Sequence, residues 1–131
     1  MERLRSITIN KVRYPYKIDL FVLEKLQETW SSISEFEREL KGFKLAKTPD
    51  GAQRYDENGE MLIERVHFSI KALNDILPLM VNEGIEIEAS AKGKEFEPVD
   101  EKEFIRNCNI SPYRLQELVV EEFDRCFEVK K

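Results

Sequence analysis

Apolar and polar residues alternate at the start of the chain. In RSITINKVRYPYKI (residues 5–18), Ile7 and Ile9 alternate with Ser6, Thr8 and Asn10. Val12, Tyr14 and Tyr16 then alternate with Arg13, Pro15 and Lys17. A two-residue period in β-branched and aromatic residues predicts strands, and Asn10-Lys11 between the runs suits a turn, so the segment reads as a β-hairpin. Pro15 has no amide to give to a ladder, which places the second strand at an edge. The period then lengthens. Asp19 reads as the cap of a helix over DLFVLEKLQETW, with Leu20, Leu23, Leu26, Gln27 and Trp30 near one face and Phe21 and Val22 widening it. Ser32 with Glu35 forms a capping box for a short second helix through Leu40, striped by Ile33, Phe36 and Leu40, and Gly42 suits its left-handed stop.

Residues 42–68 are rich in turns. Pro-Asp-Gly and Glu-Asn-Gly interrupt the pattern; residues 43–45 and 61–66 fit two strands of a loose hairpin, and a surface loop fits as well. From Ser69 a broad apolar face (Ile70, Leu73, Ile76, Leu77, Met80, Val81) predicts a helix that Pro78 either kinks, the favoured reading, or delays to a start near Asn74–Asp75. Residues 85–88 alternate, so the helix either ends near Gly84 or continues past it. A polar linker over 90–99 leads to a capping box at Asp100 and Glu103 and a helix to about Asn107. Asn109 reads as a turn. Ser111-Pro112 opens the last helix, whose stripe is Leu115, Leu118, Val119, Phe123, Cys126 and Phe127. The expected fold is α+β, mostly helical, with an N-terminal β-hairpin followed by about five helices. The expected organisation is one small domain over 1–131: hairpin 5–18, two helices 19–41, turn-rich 42–68, helical 69–131.

Composition narrows the function classes. The 131 residues are 41% hydrophobic, enough for a core, and 36% charged, which demands a highly charged surface. The net charge of −5 argues against general nucleic-acid binding, which relies on neutralising phosphates. No apolar run reaches the roughly 20 residues of a membrane span, and the opening MERLRSITIN lacks the apolar stretch of a secretory signal. The expectation is a cytosolic protein. Charge is also uneven. Residues 1–18 hold five basic side chains and one acidic one, Glu2, for a net +4. Residues 82–103 hold eight acidic and three basic, for a net −5. Such stretches either face each other or water, or serve self-association or docking on a charged partner.

Catalytic chemistry finds little support. His67 is the single histidine, and Cys108 and Cys126 lie 18 residues apart, unlike the paired spacing of zinc or redox sites. The glycines form no phosphate-binding loop. No catalytic, cofactor-binding or metal residue is assigned, and the expectation is a protein that is not an enzyme. The segment FIRNCNISPYRLQELVVEEF has the outline of a helix–turn–helix with Arg114 and Gln116 near the second helix start. Glu117, Glu121, Glu122 and Asp124 on that helix would repel phosphate, which favours a plain helical hairpin.

The opening ITINKVRYPYKIDLFVLEKLQETWSSISEFEREL resembles the start of the tail assembly chaperones of tailed phages and prophages of Gram-positive bacteria. Those chains open with an I-x-I-x-G/N-x-x-Y-P hairpin, then a Leu- and Glu-rich helix, then a short S-I-x-E-F helix. The runs IKALNDILPLMVNEGIEIEA, FEPVDEKEFIRNCNIS and EEFDRCFEVKK are also similar, so the resemblance spans nearly the whole chain outside 46–64. Lys11 stands where a Gly would make the tighter turn. The resemblance implies a non-catalytic chaperone that binds the tape-measure protein, keeps its apolar helices soluble and assists tail-tube subunits. It would act in the host bacterial cytoplasm, be absent from the mature virion, need no cofactor, and self-associate or act in several copies. Some such chaperones have a frameshifted longer form, and a chain ending in FEVKK reads as the short one. The client contacts expected are Trp30, Phe36, Leu79 and Met80, with Phe123 and Phe127. The alternative is a small acidic regulatory or inhibitor protein of a mobile element, binding a folded host protein through 82–103.

Overall fold

The computed structural model describes residues 3–128. Glu2 of the basic amino-terminal stretch and the last three residues of FEVKK lie outside them. Strands β1 (Arg5–Ile9) and β2 (Val12–Tyr16) open the chain, followed by helices α1 (Leu20–Thr29) and α2 (Ile33–Lys41). Short strands β3 (Phe43–Leu45) and β4 (Ile63–Arg65) bound an arm. Helices α3 (Ile70–Ala91), α4 (Glu101–Asn107) and α5 (Pro112–Cys126) complete an α+β, mostly helical fold.

The hairpin register pairs Arg5 with Tyr16 and Ile9 with Val12, leaving Asn10 and Lys11 as the whole turn. Both have positive φ, 48° and 68°, as a type I′ turn requires. The Asn10 side chain donates to the Asn107 carbonyl at 2.6 Å, so the tip is tied to the end of α4. Lys11 has no such anchor on its backbone, and a Cβ in the left-handed region costs about 1–2 kcal/mol. Lys11→Gly is therefore expected to stabilise the protein by about 1 kcal/mol. The check is a higher urea midpoint at unchanged slope.

Strand alternation buries Ile7, Ile9 and Tyr16. Pro15 is buried too, although it points the opposite way from Tyr14 and Tyr16. The reason is α3, which crosses the outer edge of β2. A Cβ on Gly84 would lie 2.4 Å from the Pro15 carbonyl carbon and oxygen, so helix and strand backbones touch there. The Lys17 amide donates to the Met80 carbonyl at 3.0 Å beside that contact. Pro15 thus occupies an edge whose hydrogen-bonding side meets a helix rather than a strand.

Helix α3 is the central element, packing on β2, α1, α2, α4 and α5. Its buried residues, Ala72, Leu73, Ile76, Leu77, Pro78, Met80, Val81 and Gly84, cover much of its circumference. It ends neither at Pro78 nor at Gly84. Pro78 cannot donate to the Asn74 carbonyl, yet burial on several sides keeps the helix continuous through it. The caps follow the expected residues. Asp19 accepts from Phe21 and Val22, Ser32 from Glu35, Ser69 from Ala72, Asp100 from Glu103, and Ser111 from Tyr113. The Ser32 box is half formed, because the Glu35 carboxylate turns to the Ser31 hydroxyl. In α1 the covered face is Val22, Leu23 and Leu26, ending on Trp30, while Leu20 is exposed.

One buried ion pair fastens the hairpin to the last helix. Glu122, only 2% exposed, accepts from the Ile18 amide at 2.9 Å and from Arg125 Nε at 2.8 Å. Arg125 in turn donates to the Ile18 carbonyl at 3.0 Å. Both backbone groups of Ile18, between β2 and α1, are satisfied by α5. The basic hairpin and the acidic stretch also meet: Arg13 pairs with Glu88 at 3.1 Å.

The turn-rich region is ordered as an arm. Phe43 pairs with Arg65 and Leu45 with Ile63, and bridges at Lys47–Gln53 and Tyr55–Met61 extend it. Gln53 Nε2 donates to the carbonyls of Ala46 at 3.0 Å and Arg54 at 2.9 Å, pinning its centre. Gly42, at φ 80°, sits against the Val66 carbonyl, where a Cβ would come within 2.6 Å.

Candidate functional site

The Asp19 cap sets the phase of α1. With Val22, Leu23 and Leu26 turned inward, Phe21 and Lys25 share the flank that faces α3. On α3, Leu79, Asn82, Glu83, Glu86, Ile87 and Ser90 follow the 3–4 residue spacing of one helical face. That face is adjacent to the core-facing one and is left uncovered by α2 and α5. The third wall is the linker after α3. Its start is held by the Lys94 amide on the Ala89 carbonyl at 2.8 Å, and its end by the Val99 amide on Asn82 Oδ1 at 2.8 Å. Between these ties, Phe96 and Pro98 lean on the same space. The result is an open groove of about 790 Å³.

Its surface is apolar along the base and charged at the rim. Phe21 is 69% exposed and Phe96 38%, and Leu79 and Ile87 lie half-buried between them. Tyr55, Tyr113 and Phe127 are exposed as well, but only Phe21 and Phe96 of the open aromatics line the groove. A second depression, of about 490 Å³, is lined by Arg38, Lys44, Leu45, Lys47 and Glu64 and lacks any aromatic.

Two carboxyl groups meet at the head of the groove. Partial burial pushes the Glu83 carboxyl up to about 7, helped by its hydrogen bond to Asp19 and by the charges of Asp19 and Glu86. The Lys25 ammonium pulls the other way, less strongly. When protonated, Glu83 donates to the Asp19 side chain, which also accepts from the Phe21 and Val22 amides at 3.1 and 3.2 Å. A carboxyl raised in the folded state binds more protons there than in the unfolded chain. Its stabilisation is complete at low pH and is lost as pH rises from about 4.5 to about 7. Glu83→Gln is expected to flatten stability across that window. At pH 8 it should gain on the order of 1 kcal/mol, after allowing for solvent screening at a partly exposed site. Thermal melts of both proteins between pH 5 and 8 check this.

The expected client contacts divide. Trp30, Phe36, Met80 and Phe123 are buried at 9%, 0%, 0% and 1% exposure, so they are core and present no surface. The physical reason is that α1, α2, α3 and α5 converge on them. The Trp30 ring packs edge-on against Phe36 at 5.3 Å, and Phe36 lies 6.0 Å from Phe123. Trp30 Nε1 donates to Asp75 Oδ2 at 3.1 Å, which satisfies its polar end inside. Phe127 is exposed, its ring tilted against Phe123 at 5.0 Å past the end of α5. Leu79 is the one of the six that lines the groove. Phe21, Ile87, Phe96 and Pro98, which build the rest, were not singled out. The signal for Phe96 is an aromatic inside a polar linker, SAKGKEFEPV. For Phe21 it is a large ring off the stripe centred on Val22, Leu23 and Leu26.

Other candidates resolve into structure. Gln116 Nε2 donates to the Leu40 carbonyl at the end of α2, at 3.2 Å, and Arg114 pairs with Glu117 one turn along α5 at 3.4 Å. Cys108 and Cys126 are free and half-buried, and burial raises the Cys126 thiol above its usual range. Among the described residues no group of three or more His, Cys, Asp or Glu side chains is placed to hold a metal ion. No helix among them is long and apolar enough to cross a membrane. Compared with family models, with curated proteins and with solved structures, the chain matches none.

Proposed function

We propose that this chain is a non-catalytic binding protein that shields an apolar helical segment of a client, acting as a phage tail assembly chaperone for the tape-measure protein. The observation that carries the binding role is the groove between α1, α3 and the linker, with Phe21 and Phe96 open to solvent on either side of Leu79 and Ile87. An apolar trough with aromatic walls suits an amphipathic helix, whose anchors recur every three to four residues. The client's identity rests on the resemblance of the hairpin and the two helices after it to those chaperones. A highly charged exterior around the groove supports solubility of a complex held in the host cytoplasm before tail-tube subunits take over the client.

The test is co-expression with the tape-measure protein of the same phage or prophage, followed by light scattering of the soluble fraction. The expected result is a soluble tape measure that co-elutes with several copies of this chain. Phe21→Glu together with Leu79→Glu should abolish co-elution while far-UV circular dichroism is unchanged, because Phe21 is exposed and Leu79 half-buried. Co-elution that survives both changes would put the contact elsewhere on the surface.

A second reading, an acidic inhibitor of a folded host protein, draws on Glu86, Glu95, Glu97, Glu101 and Glu103, all exposed along 82–103. Salt separates the two. Binding through that face would weaken steeply with ionic strength, whereas an apolar groove is far less sensitive.

A further inference from the structure

We infer that the groove selects an amphipathic helix of about three turns whose polar face is cationic. This rests on the groove being the client site. The length comes from α3: the lining from Leu79 to Ser90 covers 11 helical steps, about 17 Å at 1.5 Å per residue. A helix laid along it therefore presents anchors at i, i+3 or i+4, and i+7 to Leu79, Ile87 and the two phenylalanine walls.

The charge preference comes from the rim. Glu83 and Glu86 are the acidic side chains that line the groove, both on its α3 side. Lys25 is the basic residue among those lining the groove. In the basic hairpin, Arg13 is paired with Glu88 and Arg5 with Glu121. An occupant with Lys or Arg on its flank would meet Glu83 and Glu86 on the α3 wall. An occupant with Glu there would meet like charge.

The carboxyl pair at the groove head adds a proton to this exchange. Glu83 is faced by Asp19 from the β2–α1 connection, by Glu86 on its own helix and by Lys25 from α1. A cation arriving beside Glu83 favours its ionised form, so the cationic occupant releases a proton and binds more tightly as pH rises from 6 to 8.

The experiment uses the full chain and three labelled 18-residue peptides with one common Leu/Phe face. Their polar faces carry Lys, Gln or Glu. Fluorescence polarisation at about 50 mM salt is expected to rank Lys about tenfold tighter than Gln, and Glu weaker than Gln. The Lys-to-Gln ratio should fall towards one at about 500 mM salt. It should also fall to about two in the Glu83→Gln/Glu86→Gln variant, with the pH dependence lost. Equal binding of all three peptides would overturn the charge selection and leave the groove reading standing. No binding by any peptide would overturn both. A Lys preference that survives the double variant would place the attraction outside this rim and overturn the inference. A dimer of the chain alone, dissociated by Phe21→Glu, would make a second copy the occupant and overturn it as well.

Discussion

Gly84→Ala is expected to destabilise the protein by about 2 kcal/mol or more, a reversal of the usual sign for that exchange in a helix. Glycine inside a helix costs about 1 kcal/mol relative to alanine, so the substitution would ordinarily stabilise. Here the added methyl would lie 2.4 Å from the Pro15 carbonyl carbon and oxygen and 2.6 Å from the Tyr16 amide nitrogen. All three are backbone atoms of the hairpin, and none can rotate aside. Accommodation requires α3 to move off β2, which breaks the Lys17 amide contact to the Met80 carbonyl and opens the core around Tyr16 and Met80. Urea unfolding measures the effect, with Ser90→Ala, an exposed position on the same helix, as the control for propensity. A Gly84→Ala protein as stable as the control would mean that helix and strand are not in backbone contact.

Glu122→Ala is expected to cost about 3–5 kcal/mol, enough to unfold much of a domain of ordinary stability. The carboxylate is the acceptor for the Ile18 amide and for Arg125, and it is buried. Removing it leaves a guanidinium and an amide short of an acceptor, and the uncompensated groups carry the penalty. Replacing both members, Glu122→Leu with Arg125→Met, should recover part of the loss, because the desolvation of both charges disappears while the Ile18 amide and carbonyl lose their α5 partners. Chemical denaturation of Glu122→Leu, Arg125→Met and the double variant gives the coupling directly. A double variant no better than Glu122→Ala would show that the hydrogen bonds to Ile18, rather than the ion pair, hold this junction.

These two positions illustrate how far sequence reading reaches. Pro15 marked β2 as an edge, but nothing local said that a helix would cover it. Gly84 looked like a possible helix stop. It is instead the point where α3 lies closest to the strand, so its small size serves packing rather than termination. In sequence Glu122 reads only as one of four acidic residues on α5 that would repel phosphate. It is buried because its stripe meets the chain more than 100 positions earlier, at Ile18.

The candidate site was less legible than the fold. Four of the six expected contacts, Trp30, Phe36, Met80 and Phe123, form core, and Leu79 alone falls in the groove. Helical spacing identifies an apolar face without saying whether another element covers it. Aromatic residues raise that ambiguity most, because both cores and contact surfaces prefer them. Phe21 and Phe96 became conspicuous only once the α1–α3 pairing and the fixed linker left them open.

By itself the sequence determined whatever depends on short-range physics. The alternation over 5–18 specified the hairpin, and Asn10-Lys11 its two-residue turn. Side-chain oxygens of Asp19, Ser32, Ser69, Asp100 and Ser111 set the helix starts, and Gly42 ended α2. Each of these is decided by atoms within about four residues of one another, so a linear reading contains it. Tertiary structure alone decided the continuation of α3 past Gly84, the backbone contact there, the burial of Glu122 and the groove beside Phe21. Those outcomes depend on which faces of distant elements are covered. Coverage follows from simultaneous packing of all the helices around α3, where a single stripe is removed from water only if another fills the space against it.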